Sequence, residues 1–153
     1  MRRGRTLMRM AVIVATGLLL SASSAAADSC SVSATGVSFG AYDVFKNGPT
    51  DSTGTMTFQC TSGGKPISIS LERRWWESYR FLESGGQRLH YNLYLDASRT
   101  AVWGDGSLGS QEYFNANPPK KTPVTVPIYG RIPSGQDVGV GQYDDTVTLV
   151  VNF

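Results

Sequence analysis

Thr55-Met56-Thr57-Phe58-Gln59-Cys60 alternates small polar and apolar residues one for one. Successive Cβ atoms in an extended chain point to opposite faces, so Met56, Phe58 and Cys60 share one side and Thr55, Thr57 and Gln59 the other. On a helix the same three apolar side chains would scatter around the axis. The stretch therefore reads as a strand with one face on a core. The pattern recurs along the chain. Ile67, Ile69 and Leu71 alternate with Ser68 and Ser70, and Leu89, Tyr91, Leu93 and Leu95 with His90, Asn92 and Tyr94. Val124, Val126 and Ile128 alternate with Thr125 and Pro127. Val147, Leu149, Val151 and Phe153 alternate with Thr146, Thr148, Val150 and Asn152, which assigns the first four to the core face of a closing strand.

Turn-forming clusters separate these runs: Asn47-Gly48-Pro49, Ser62-Gly63-Gly64, Ser84-Gly85-Gly86, Gly104-Asp105-Gly106, Asn117-Pro118-Pro119 and Pro133-Ser134-Gly135. No segment shows the period of an amphipathic helix. Strands joined by short turns without crossover helices predict an all-β, antiparallel two-sheet sandwich, with a closed barrel as the alternative.

The first 27 residues read differently. Arg2, Arg3, Arg5 and Arg9 precede an apolar run from Met10 to Leu20, and small residues follow to Ala25-Ala26-Ala27. This is the order of a secretory signal peptide. The run is too short for a bilayer span, which needs about 20 residues. A bare Arg2-Arg3 pair is too common in export signals to mark the twin-arginine route. The expected division is a signal peptide at 1–27 and one exported domain at 28–153, with no transmembrane segment. Without the four signal arginines the formal charge turns from +2 to −2. Nucleic-acid binding thereby loses its compositional support.

Cys30 and Cys60, both beyond the signal, are the only cysteines. An exported chain meets an oxidising compartment, so they are expected to form a disulfide, worth roughly 3 to 4 kcal/mol for a loop of this length. With one histidine, His90, they cannot complete an ordinary zinc site, and a catalytic thiol would have only that histidine as its base.

Other polar groupings favour structural readings. Asp144 and Asp145 are adjacent and would point to opposite faces. Trp103-Gly104-Asp105-Gly106 lacks the regularly spaced oxygen ligands of a calcium loop and reads as a hairpin turn. His90 lies on the face opposite Leu89 and Tyr91, and no Gly-x-Ser-x-Gly elbow occurs. Tyr129 to Pro133 reads as a strand end with Arg131 exposed. No catalytic, cofactor-binding or metal-binding residue is nominated, and the chain is not expected to be an enzyme. Trp75-Trp76, between Arg73-Arg74 and Glu77, is a candidate adhesive loop. With Tyr79 it supports an alternative reading as a secreted carbohydrate-binding sandwich.

Several stretches, in order, resemble the spore coat protein U domain family, which is similar to the subunits of archaic chaperone–usher pili. They are Cys30-Ser31-Val32, Val37 to Asp43, Gly54 to Cys60, Leu89 to Asp96, Val102 to Gly106, Val126 to Pro133, and Gly139 to Phe153. Each motif is weak by itself; the ordered set with its paired cysteines is specific, and it covers nearly all of 28–153.

The resemblance implies an immunoglobulin-like sandwich lacking its final strand. A periplasmic chaperone would lend the missing strand, an outer-membrane usher would assemble the fibre, and another subunit's N-terminal segment would later replace the lent strand. Val147, Leu149, Val151 and Phe153 would form the acceptor edge. The implied function is a structural subunit of a surface fibre or spore-coat-like layer. It would pass through the periplasm to the cell surface. Cleavage after Ala27 would leave only Asp28 and Ser29 before Cys30, so the chain is expected to accept a strand without donating one, as at a fibre tip.

Overall fold

The computed structural model describes residues 28–72 and 79–153. The expected signal peptide at 1–27 and the Trp75-Trp76 loop lie outside the described residues. Eight strands follow in order: β1 (Cys30–Thr35), β2 (Thr50–Cys60), β3 (Ile67–Leu71), β4 (Arg80–Ser84), β5 (Gln87–Tyr94), β6 (Tyr113–Asn115), β7 (Val124–Ile132) and β8 (Leu149–Asn152). They form a five-stranded sheet, β1-β2-β7-β5-β4, and a three-stranded sheet, β6-β3-β8, and every strand pair is antiparallel. This is the all-β sandwich expected from the alternation. Among the described residues both sheets end in edge strands, unlike a closed barrel.

The core lies between the sheets. Met56, Phe58 and Cys60 of β2, Leu89, Tyr91 and Leu93 of β5, and Ile128 and Ile132 of β7 are buried with Ile67, Ile69 and Leu71 of β3. Burying one such aliphatic or aromatic side chain is worth about 1.5 to 3 kcal/mol, so this face holds the two layers together. Trp103 fills the centre: it is buried, and its indole Nε1–H donates to the Ile69 carbonyl at 2.9 Å. The turn anticipated at 103–106 is thus confined to its later part, where the Asp105 carboxylate accepts the Ser107 N–H at 3.0 Å.

Local chemistry fixes the registers. Gly85 and Gly86 both have positive φ, 54° and 83°, which suits a two-residue hairpin turn closing Ser84 against Gln87. Cys30 and Cys60 stand directly opposite in the β1–β2 ladder, with Cα atoms 4.0 Å apart, and are disulfide-bonded. Arg131 grips Asp51 with two hydrogen bonds, 2.7 and 2.8 Å long, across the β2–β7 pair. The expected exposed arginine is therefore half-engaged, because a planar guanidinium matches a carboxylate in the opposite strand position.

Candidate functional site

β8 pairs with β3 through Leu71–Leu149, Ser70–Val150, Ile69–Val151 and Ser68–Asn152. Its other edge carries no strand among the described residues. Val147, Leu149 and Val151 are half-buried and pack against the core, while Thr146, Thr148, Val150 and Asn152 are exposed. Phe153 departs from the expected core face and is 56% exposed. The β3–β8 ladder stops at Ser68–Asn152, so Phe153 lies beyond the last paired position and is not held in the strand's alternation.

A cleft of about 800 Å³ lies beside the chain leading into β8. Residues 37–45 form one wall and residues 138–145 the other, with Leu82, Leu89 and Ile132 at its base. Val37, Phe39, Tyr42 and Val138 pack against the core, whereas Phe45 and Val140 on the two walls are exposed, Phe45 by 89%. The cleft therefore combines apolar side chains with polar ones, among them Ser38, Asp43, Gln142 and Asp144.

Side-chain hydrogen bonds, not ladders, position both walls. The Tyr42 hydroxyl donates to the Pro133 carbonyl at 3.1 Å and accepts the Gln136 N–H at 3.0 Å. The Gln136 side-chain amide accepts the His90 N–H at 2.7 Å and donates to the His90 carbonyl at 2.9 Å, as a strand neighbour would. Gly139 N–H donates to the Gln87 side-chain oxygen, which also lies 3.0 Å from the Tyr143 hydroxyl. The Phe39 ring meets Tyr91 edge-on at 5.8 Å. Gly130 permits this approach: a Cβ there would stand 2.7 Å from side-chain atoms of Phe39 and Val37.

The polar candidates fall apart as a catalytic set. Asp145 is half-buried and its carboxylate accepts the Tyr91 hydroxyl at 2.7 Å, whereas Asp144 is exposed and pairs its backbone with Glu83. The His90 ring lies on the outer face, 6.2 Å from the Phe81 ring and 6.1 Å from that of Tyr79. The described residues hold no group of three His, Cys, Asp or Glu placed to bind a metal. The Asp96 carboxyl is held well below the usual range, first by the Ser98 hydroxyl and then by the Ala101 N–H; these contacts close a loop and build no reaction centre.

Sequence reasoning located the alternation of the closing strand but not the cleft. Val37, Phe39 and Tyr42 form no paired strand, and Val138 lies in a Gly-rich stretch, so neither wall shows a strand pattern.

The Spore Coat Protein U domain family matches residues 16–150. Protein U of Myxococcus xanthus is 37% identical over 65 residues, covering 42% of this chain and 34% of that protein. The chain thus spans about a third of that relative's length. The second comparison is a chain in the crystal structure of the CsuC–CsuE chaperone–tip adhesion subunit pre-assembly complex, from the archaic chaperone–usher Csu pili of Acinetobacter baumannii. It is similar with a TM-score of 0.59 at 25% identity, over 82% of this chain and 40% of that one. The family match runs through both sheets, from ahead of β1 into β8, and the chain belongs to the Spore Coat Protein U domain family.

Proposed function

We propose that this protein is a structural subunit of a surface fibre or spore-coat-like layer, joined to its neighbours by strand donation. The observation that carries this reading is the outer edge of β8, which carries no strand among the described residues, beside a cleft lined in part by apolar side chains. Unpaired backbone N–H and C=O groups at an edge recruit another strand, and buried backbone groups need partners. A donated strand would pair with β8 and place alternate apolar side chains in the cleft. Chaperone–pilin complementation is one established instance of strand addition. Similarity to a chain of a chaperone–subunit complex supports a periplasmic chaperone as the first partner, with an outer-membrane usher and other subunits following. Export through the periplasm to the cell surface fits this route. The role needs no catalytic residue.

The test is to produce the mature chain alone and with a peptide carrying alternating apolar residues. Alone it should aggregate or exchange strands; with the peptide it should become soluble and monodisperse. A stable monomer that ignores every such peptide rejects the reading.

A further inference from the structure

We infer that the Tyr42 hydroxyl sets the width of the cleft and thereby decides how large a side chain a donated strand can place in it. The inference rests on the reading of the cleft as a strand acceptor, and Tyr42 acts in it as a positioning residue. The wall at 138–145 is fastened to β4 and β5. Gln136, just ahead of it, bonds both backbone groups of His90, and the Gly139 N–H reaches the Gln87 side chain. Asp144 exchanges backbone bonds of 2.9 and 3.3 Å with Glu83. The wall at 37–45 is fastened elsewhere. The Ser52 hydroxyl of β2 donates to the Ser38 carbonyl, and Val37 and Phe39 lie against Gly130 of β7. Among the described residues the two walls share no ladder, so regular strand spacing does not fix the gap between them.

Tyr42 joins them. Its ring belongs to the 37–45 wall and packs against the core. Its hydroxyl donates to the Pro133 carbonyl at 3.1 Å and accepts the Gln136 N–H at 3.0 Å, at the turn from which the other wall starts. A phenol both donates and accepts, so one oxygen atom makes both bonds. The Gln136 side-chain amide donates to the same Pro133 carbonyl at 3.1 Å, which locks that turn from a second side. A gap held at one width accepts side chains of one size best. A larger one must push its neighbours aside, and a smaller one leaves a void. Tyr143 provides a contrast within the same cleft. Its hydroxyl lies 3.0 Å from the Gln87 side-chain oxygen and 2.9 Å from the Gly139 carbonyl of its own wall. These contacts brace one wall against β5 and do not reach the other.

A peptide series tests this. The peptides share one alternating apolar sequence and carry Ala, Val, Leu or Phe at one inward position, each inward position being varied in turn. The mature chain is refolded with each, and affinity is read by competition with a fluorescent copy. By hydrophobic transfer alone, affinity would rise with side-chain size at every position. In the unmodified chain it should instead peak at Val or Leu at one position or more and fall about tenfold at Phe, the scale of overpacking a fixed site. In Tyr42→Phe that fall should shrink to about threefold or disappear, whereas Tyr143→Phe should keep it. If Tyr42→Phe refolds with none of the peptides, Gln136→Met carries the same test, since it releases the turn from His90 and Pro133. A steady rise with size in the unmodified chain overturns the width inference and leaves the strand-acceptor reading standing. Failure of every peptide to bind the unmodified chain overturns both. A peak that persists in Tyr42→Phe, with all four affinities lowered alike, gives the hydroxyl a structural role only and overturns the inference. Loss of the peak in Tyr143→Phe as well overturns the assignment to the tie between the walls.

Discussion

The Tyr91 hydroxyl donates to the Asp145 carboxylate at 2.7 Å, so a residue on the inner face of β5 holds the chain just before it turns into β8. The contact ties the five-stranded sheet to the cleft wall that leads to the free edge. Tyr91→Phe keeps the ring against Phe39 and removes only the donor. It should lower the stability of the peptide-complemented chain by about 1 to 2 kcal/mol, the cost of removing one hydrogen bond to a half-buried carboxylate. Urea denaturation of the complex measures it, and an unchanged midpoint would show that the bond is incidental.

Gly130 on β7 faces Val37 and Phe39 at a distance that leaves no room for a methyl group. Gly130→Ala should destabilise by about 1 to 3 kcal/mol, because an added carbon in a packed contact forces neighbours to shift. The displaced neighbours form the wall of the cleft. Donor-peptide affinity should therefore fall together with the melting temperature, whereas Gly36→Ala, at a site with open space around it, should change neither.

Leu149 faces the core and Thr148 faces away. Leu149→Asp would bury a charge without a partner and should abolish folding even with peptide present. Thr148→Asp should be mild. Circular dichroism and soluble yield compare the two, and equal damage would mean that β8 pairs one residue out of register.

The disulfide joins the ends of β1 and β2 at Cys30 and Cys60. Cys60→Ser should remove about 2 to 5 kcal/mol and sharply reduce periplasmic yield. Quantitative blotting of periplasmic extracts reads this directly. Undiminished yield would show that the β1–β2 ladder holds without its covalent tie.

Asp51 contributes a pH dependence. Its carboxyl is held below the usual range, first by the hydrogen bonds from Arg131. A depressed folded-state pKa contributes stability above the unfolded value of about 4 and loses it as pH falls through the folded value. Melting temperature should therefore drop on acidification below about pH 4, and Asp51→Asn should flatten that drop. The slope should shrink without vanishing, because Asp28 and Asp96 are depressed as well, by the hydrogen bonds from Lys65 and Ser98 respectively. An identical acid slope in the variant would show that the Arg131 pair contributes nothing to folding.

The sequence by itself determined the layer architecture. Met56, Phe58 and Cys60, with Ile67, Ile69 and Leu71, alternate with polar residues, and a period of two has one physical solution: a sheet with one face buried. The same periodicity placed Val147, Leu149 and Val151 on a single side. Shorter or irregular elements escaped it. β6 is three residues long, and β4 sets Phe81 beside Leu82, which breaks the alternation. Only the tertiary structure decided where the cleft lies. Its walls at 37–45 and 138–145 are held by Tyr42, Gln136 and Gln87 through side-chain bonds spanning 46 to 94 residues of chain, and no local pattern encodes such distant partners. Tertiary structure also left Phe153 in solvent, since alternation states which way a residue would face within a strand but not where the strand's pairing stops, here at Asn152.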